Sequence, residues 1–212
     1  MVIPITVNSC SILLLKTTYV YVVNFAKGAT IYVNLRLELI YFQQAGISMS
    51  VTIYYLEMSS PEQLNDKKDA LGLQIIQAEL DEFRLNKFLY QLIGEQWQWQ
   101  DKLSLSDDDW QQYVSSPNLR TWVAYYQGSI AGYFELRSDN KGNTEIVYFG
   151  LAPNFIGKGF GGYMLSQAIK NAWKIANTKR VWVHTCSLDH QSALLNYQAR
   201  GLKLYKTELE ST

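Results

Sequence analysis

Apolar residues recur along this chain with a period of two in some stretches and with a helical period in others, and the changes of period mark its elements. Ile31, Val33, Leu35, Leu37 and Leu39 alternate as a strand does, within a first segment, residues 1–48, that is rich in Val, Ile, Tyr and Asn and poor in charge. Residues 49–58 form a further predicted strand, stopped by the polar breaker Ser59-Ser60-Pro61. Next, Ile76, Leu80, Phe83, Phe88, Leu89 and Leu92 stand at helical spacings with Asp81, Glu82, Arg84 and Lys87 on the opposite face, which predicts a helix. A second helix is predicted to start at Ser106-Asp107-Asp108-Asp109-Trp110, where carboxylates meet the positive end of the helix dipole.

The β-rich runs at 121–126 and 130–137 flank Gln127-Gly128-Ser129, a short connection that signals an antiparallel hairpin. Asn140-Lys141-Gly142-Asn143 turns the chain into a strand at 144–151. Pro153 and a glycine cluster then lead into a helix whose buried stripe is Leu165, Ala168, Ile169, Ala172 and Ala176. A strand at 180–186, a short helix at 193–200 closed by Gly201 and a last strand at 202–207 complete the chain. Together these elements predict an α/β fold: a mixed, mostly antiparallel sheet with helices on both faces.

Composition removes several classes of function. Lys plus Arg and Asp plus Glu number 19 each, so nothing draws the chain toward nucleic acid or an anionic membrane. Lys16, Lys27, Arg36 and Glu38 interrupt the apolar first third, no basic residue precedes Ile12-Leu13-Leu14-Leu15, and neither a membrane span nor an export signal is expected. Cys10 and Cys186 match neither a disulfide framework nor a zinc spacing, which suits a reducing, cytoplasmic setting. The functional domain is expected at residues 49–212. Residues 1–48 are read as an N-terminal extension of unknown role, either a small accessory hairpin or an upstream mis-extension of the reading frame.

The run Ile156-Gly157-Lys158-Gly159-Phe160-Gly161-Gly162 lies between a strand and a helix, where free backbone N–H groups and the helix dipole favour an anion such as pyrophosphate. A Walker loop requires Ser or Thr after its Lys, and Lys158 is followed by Gly159. Gly157, Gly159 and Gly162 satisfy G-x-G-x-x-G, but Lys179-Arg180-Val181 stands where a dinucleotide fold places its ribose-binding acid. Coenzyme A is the ligand that remains. At this point the sequence resembles the GNAT superfamily of N-acetyltransferases, in the loop Ile156-x-x-Gly159-x-Gly161 and in Ala193-Leu194-Leu195-Asn196-Tyr197-Gln198-Ala199-Arg200-Gly201-Leu202. Ile156 stands where the family usually has Arg or Gln, and Leu202 where it has Phe.

The resemblance implies a three-layer fold, acetyl-CoA as co-substrate and transfer of an acetyl group to a primary amine. The cofactor contacts it suggests are Phe149, Gly150, Leu151, Gly157, Lys158, Gly159, Phe160, Gly161, Gly162 and His190, with a strand bulge around Phe149 to Leu151 freeing N–H groups for the thioester carbonyl. Tyr197 corresponds to the tyrosine that protonates the departing thiolate. The base is assigned to Glu145, expected on one strand face with Val147, Phe149 and Leu151, with Glu135 on the preceding strand as the alternative. His184, Cys186, Asp189 and His190 lack an established metal spacing, and no metal is expected. Asp189 is read as the N-cap of the helix carrying Tyr197, and His184 as a satisfied strand histidine. Trp97, Trp99, Trp110, Phe88 and Tyr90 accumulate where an acceptor pocket is expected, suiting a small-molecule amine. A protein or peptide amine, or a non-catalytic acyl-CoA-binding module, are the alternatives, and a homodimer is compatible with all three.

Overall fold

The computed structural model describes residues 4–7, 10–14, 20–24, 30–34, 50–97 and 99–211. The chain divides into two units, residues 1–50 with 211–212, and residues 51–210. In the first, β1 (Pro4–Val7), β2 (Cys10–Leu14), β3 (Val20–Asn24) and β4 (Thr30–Asn34) pair in sequence order as an antiparallel meander. Ile31 and Val33 lie in β4. Leu35, Leu37 and Leu39 fall outside the described residues.

The second unit is built on a seven-stranded sheet ordered β11-β5-β10-β9-β8-β7-β6. Its strands are β5 (Ser50–Met58), β6 (Gln74–Ala78), β7 (Leu119–Tyr126), β8 (Ser129–Ser138), β9 (Asn143–Leu151), β10 (Arg180–Cys186) and β11 (Lys203–Ser211). β9 and β10 pair in parallel, whereas β10 with β5, β6 with β7, β7 with β8 and β8 with β9 are antiparallel. The sheet is therefore mixed and mostly antiparallel, as expected. Its helices are α1 (Phe83–Gly94), α2 (Asp107–Val114), α3 (Phe160–Lys174) and α4 (Ala193–Ala199).

One predicted element is divided in two. Gln74–Ala78 pairs with β7 as an edge strand, so Ile76 is not on a helix, and the helix starts only at Phe83. Ile75 and Ile76 favour a pleated surface, and a waiting sheet edge decides in favour of strand. Leu80 is 83% exposed, and α1 buries Phe83, Asn86, Leu89, Tyr90 and Ile93 rather than Phe88, half of which faces solvent. Farther on, α3 ends at Lys174, so Ala176 lies outside it and is exposed. The acidic helix start is as predicted: Ser106 caps α2 by accepting from the Asp109 amide at 3.2 Å.

Alternation along the strands sends one set of side chains to each helical layer. Phe134, Leu136, Ile146, Val181 and Val183 pack with Met164, Leu165, Ala168, Ile169 and Ala172 of α3. On the opposite face Val123 and Tyr133 meet Leu89 and Ile93 of α1, and Tyr90 meets Trp110 and Val114 of α2. Helix, sheet and helix make the three layers that the family resemblance implies.

Candidate active site

Two irregularities in the sheet create the site. Glu135 pairs with Tyr148 but Leu136 with Ile146, so Val147 is an extra residue on β9, a bulge. A one-residue insertion inverts the alternation beyond it. Ile146, Phe149 and Leu151 consequently face α3, while Glu145 and Tyr148 lie with Glu135 and Arg137 on the side of α1 and α2. Glu145 thus does not share a face with Phe149 and Leu151, contrary to the sequence expectation, and the bulge lies at Val147 rather than around Phe149 to Leu151.

The second irregularity is a parting of strands. β9 and β10 pair only from Arg180 opposite Asn143 to Trp182 opposite Glu145. Beyond that point they diverge around a cavity of about 1110 Å³, lined by both strands, the glycine loop and α4. One wall is the unpaired edge of β9 through Phe149, Gly150 and Leu151; the facing wall is Val183 to Cys186.

At one end of this cavity stands an ionic cluster. Glu145 Oε2 accepts from Arg137 Nη2 at 2.8 Å, and Oε1 lies 3.3 Å from His184 Nδ1. Burial pushes the Glu145 carboxyl upward, but hydrogen bonds from His184 and Arg137 outweigh it and hold the group below its ordinary range. The hydrogen bond to Glu145 raises the His184 imidazole against the opposing effect of burial. Glu135 sits deeper, 1% exposed, and accepts from Asn86 Nδ2 at 2.8 Å and from the Tyr113 hydroxyl. It does not line the cavity.

Burial raises the Glu135 carboxyl above its ordinary value. The folded state therefore binds that proton more tightly than the unfolded chain, and the stability gained below the unfolded value is lost as pH rises through the folded one. Glu135→Gln keeps an acceptor for Asn86 and removes the loss. Thermal denaturation from about pH 4 to about pH 8 is expected to show the variant gaining on the wild type as pH rises; a constant difference would mean that Glu135 does not titrate in this range.

The opposite end is shaped by the glycine loop. Gly157 and Gly159 have φ of 80° and 84°, and Gly159 is the N-cap of α3, a conformation that turns the loop so that the first amides of the helix are open to a ligand. Lys67 donates from Nζ to the Gly159 carbonyl at 3.0 Å, and its amide donates to Ser166 Oγ at 2.9 Å. Asn196 Nδ2 donates to the Gly161 carbonyl at 3.2 Å. A Cβ at Gly162 would meet Arg200 Nη1 at 2.8 Å, so this guanidinium lies against the loop, and its buried Nε has no partner among the described residues. A cationic cradle is the result.

Of the residues proposed for the cofactor, Phe149, Gly150, Leu151, Gly157, Gly159, Gly161, Gly162 and His190 line the cavity. Lys158 and Phe160 do not: Lys158 Nζ lies over the Phe155 ring at 5.2 Å, and Phe160 is a core residue, 3% exposed. Tyr197 lines it too, in van der Waals range of the α3-side core, 6% exposed, with its ring centroid 6.0 Å from Phe149. Burial raises its phenol well above the ordinary value. Trp97 and Trp99 reach the cavity, whereas Trp110 and Tyr90 are 1% exposed core residues.

Asp189 is not the helix cap. Its Oδ2 accepts from Thr185 Oγ1 at 2.6 Å and from the Cys186 amide at 3.0 Å, closing the turn after β10, and Ser192 occupies the N-cap of α4. His190 accepts the Ser192 amide at Nδ1 and stands edge-on to Trp97 with ring centroids 5.3 Å apart. Among the described residues no group of three or more His, Cys, Asp or Glu is placed to hold a metal ion, and no helix is long and apolar enough to cross a membrane. Sequence reasoning missed Lys67, Arg137, Asn196 and Arg200. Nothing local marks Lys67, which reaches the loop from about 90 residues away; Arg200 had a signal, since it lies in the segment that contains Tyr197.

Between its two helical layers, then, the mixed sheet holds a parallel pair of strands that parts beside a glycine-capped helix. The chain belongs to the acetyltransferase (GNAT) family, whose model matches residues 86–202. Solved structures agree on the fold. A GCN5-related N-acetyltransferase from Sphaerobacter thermophilus is 14% identical with TM-score 0.58, over 84% of this chain and 57% of that one. A GNAT-family acetyltransferase structure from Novosphingobium aromaticivorans is 13% identical with TM-score 0.52, over 77% and 64%. An aminoglycoside acetyltransferase from an uncultured soil metagenomic sample is 16% identical with TM-score 0.52, over 61% and 88%. The match thus spans less than two thirds of the first two proteins. No curated protein matches this sequence.

Proposed function

We propose that this protein transfers an acetyl group from acetyl-CoA to a primary amine of a small molecule. The observation that carries this reading is the parting of β9 from β10 after Glu145, beside the glycine-capped N-terminus of α3 and with Tyr197 in the cleft. An unpaired strand edge offers amides to an extended pantetheine arm, and the α3 N-terminus offers them to a pyrophosphate. Lys67 and the unpartnered Nε of Arg200 add positive charge there, a role the missing Arg or Gln at Ile156 leaves open. The residues present therefore fit the group.

When bound, acetyl-CoA supplies the activated acyl carbon; the chain positions it and handles protons. Tyr197 gives a proton to the leaving sulfur, a role supported by burial, which raises its phenol and keeps it protonated. Glu145 anchors the acceptor end, where Trp97, Trp99 and Tyr148 supply aromatic wall. The domain at 49–212 and a cytoplasmic setting go with this reading, and the role of residues 1–48 is left to truncation at Met49.

Thermal-shift titration with acetyl-CoA, with NADH and ATP as controls, tests the donor, since a ligand of the native state stabilises it. Free-thiol release with a panel of amines, an aminoglycoside among them, then tests the acceptor. Selective stabilisation without thiol release from any amine would favour a non-catalytic acyl-CoA-binding module. Lys67→Ala and Arg200→Ala are each expected to weaken coenzyme A binding about tenfold by calorimetry, the scale of one charge-assisted contact; unchanged affinity in both would remove the cradle.

A further inference from the structure

Both oxygens of Glu145 are engaged, Oε2 by Arg137 at 2.8 Å and Oε1 by His184 at 3.3 Å, and the side chain is 8% exposed. A carboxylate so paired, and held below its ordinary range, is a weak base. His184 differs in each respect. Its side chain is 48% exposed and lines the cavity, and it presents Nδ1 to Glu145, which leaves Nε2 on the other edge of the ring without a protein partner among the described residues. Because an ionised carboxylate only accepts, the neutral imidazole must carry its proton on Nδ1, and Nε2 keeps a lone pair.

We propose that His184 Nε2 takes the proton of the acceptor ammonium, with Glu145 and Arg137 as positioning residues that fix the imidazole; this rests on the acetyl-transfer reading above. The N–H bond of the ammonium breaks and the Nε2–H bond forms. The imidazolium so made keeps its Nδ1–H on Glu145, whose charge stabilises it. The freed nitrogen lone pair bonds to the acyl carbon, the carbon–sulfur bond breaks, and Tyr197 protonates the sulfur. The second proton lost by the nitrogen restores Tyr197, and His184 returns the first to solvent, so the reaction releases one proton overall.

The groups around the imidazole agree with this role. Glu145 from β9 and Asp189 from the turn after β10 favour its protonated form, Arg137 from β8 opposes it, Tyr55 from β5 lies with its ring 6.0 Å away, and Trp182 stacks at 6.0 Å. A base raised in this way gives a rate that climbs with pH and levels once the imidazole is neutral.

The chain holds two histidines, so the imidazole NMR spectrum of the full-length protein is simple, and His184→Gln assigns it. Nitrogen shifts are expected to show neutral His184 protonated on Nδ1 and bare at Nε2. Glu145→Gln is expected to lower its titration midpoint, and Glu145→Asp, which keeps the charge, to restore part of it. A proton on Nε2, or a midpoint that Glu145→Gln leaves in place, overturns the proposal. With acetyl-CoA and 2-phenylethylamine as probe acceptor, His184→Gln is expected to lower kcat/KM about 100-fold and abolish the low-pH limb, while the thermal shift with acetyl-CoA is retained. An unchanged limb also overturns it; if this amine is not turned over, the tautomer and the Glu145 dependence decide. Absence of a wild-type thermal shift with acetyl-CoA refutes the donor assignment instead.

Discussion

Gly201→Ala is expected to lower the thermal midpoint by about 10 °C, the equivalent of about 3 kcal/mol for a protein of this size. Gly201 follows α4 at φ 99°, in the region where a side chain is strained. Its amide donates to the Gln198 carbonyl at 3.0 Å and Leu202 donates to the Tyr197 carbonyl at 3.2 Å, closing the helix. More important is what lies against it: a Cβ would come within 2.0 Å of the Gln63 carbonyl oxygen, a backbone atom. The segment bearing Gln63 is tied down, since Asn65 donates to the Arg200 carbonyl from its amide at 3.0 Å and to the Ala199 carbonyl from Nδ2 at 3.0 Å. Displacing it also disturbs Lys67, so coenzyme A affinity should fall with stability. Gly128→Ala is the control: its φ is 80° but nothing among the described residues lies within 4 Å of the added Cβ, and only the strain, about 1 kcal/mol, remains. Equal losses in the two variants, read by scanning calorimetry, would show that the contact with Gln63 contributes nothing.

The second large effect is expected at the leaving group. Tyr197→Phe should lower kcat about 1,000-fold, within the range of general acid catalysis, while leaving coenzyme A affinity and thermal stability near the wild type. The ring packs in the core beside Phe149 and stays in the variant, and the hydroxyl makes no hydrogen bond within the protein among the described residues. Burial raises the phenol, so at neutral pH the group is a proton donor rather than a phenolate. Single-turnover kinetics with the amine found by thiol release would separate chemistry from binding. Wild-type turnover in the variant, or a loss matched by lost coenzyme A binding, would remove the acid role.

Local pattern was sufficient wherever an element's environment repeats along the chain. The hairpin of β7 and β8, the strand at Arg180–Cys186, the acidic start of α2 and the glycine loop before α3 all followed from alternation, turn residues and caps. Where a distant partner chooses, the pattern misled: β7 drew Gln74–Ala78 into the sheet, and the core face of α1 took Tyr90 and Ile93 while Phe88 was left half exposed. A single-residue bulge likewise leaves no mark in composition, yet Val147 decides which side of the sheet each later residue of β9 occupies.

The sequence by itself determined the elements from β7 to the C-terminus, the glycine turn at Gly157–Gly162 and the segment carrying Tyr197, because each depends on residues adjacent in the chain. Only the tertiary structure decided that β9 and β10 part after Glu145, that Glu145 is held by Arg137 and His184, and that Lys67 and Arg200 flank the glycine loop. Those relations join side chains from separate strands, helices and loops, and their distances are set by how the layers pack, which no local stretch of sequence encodes.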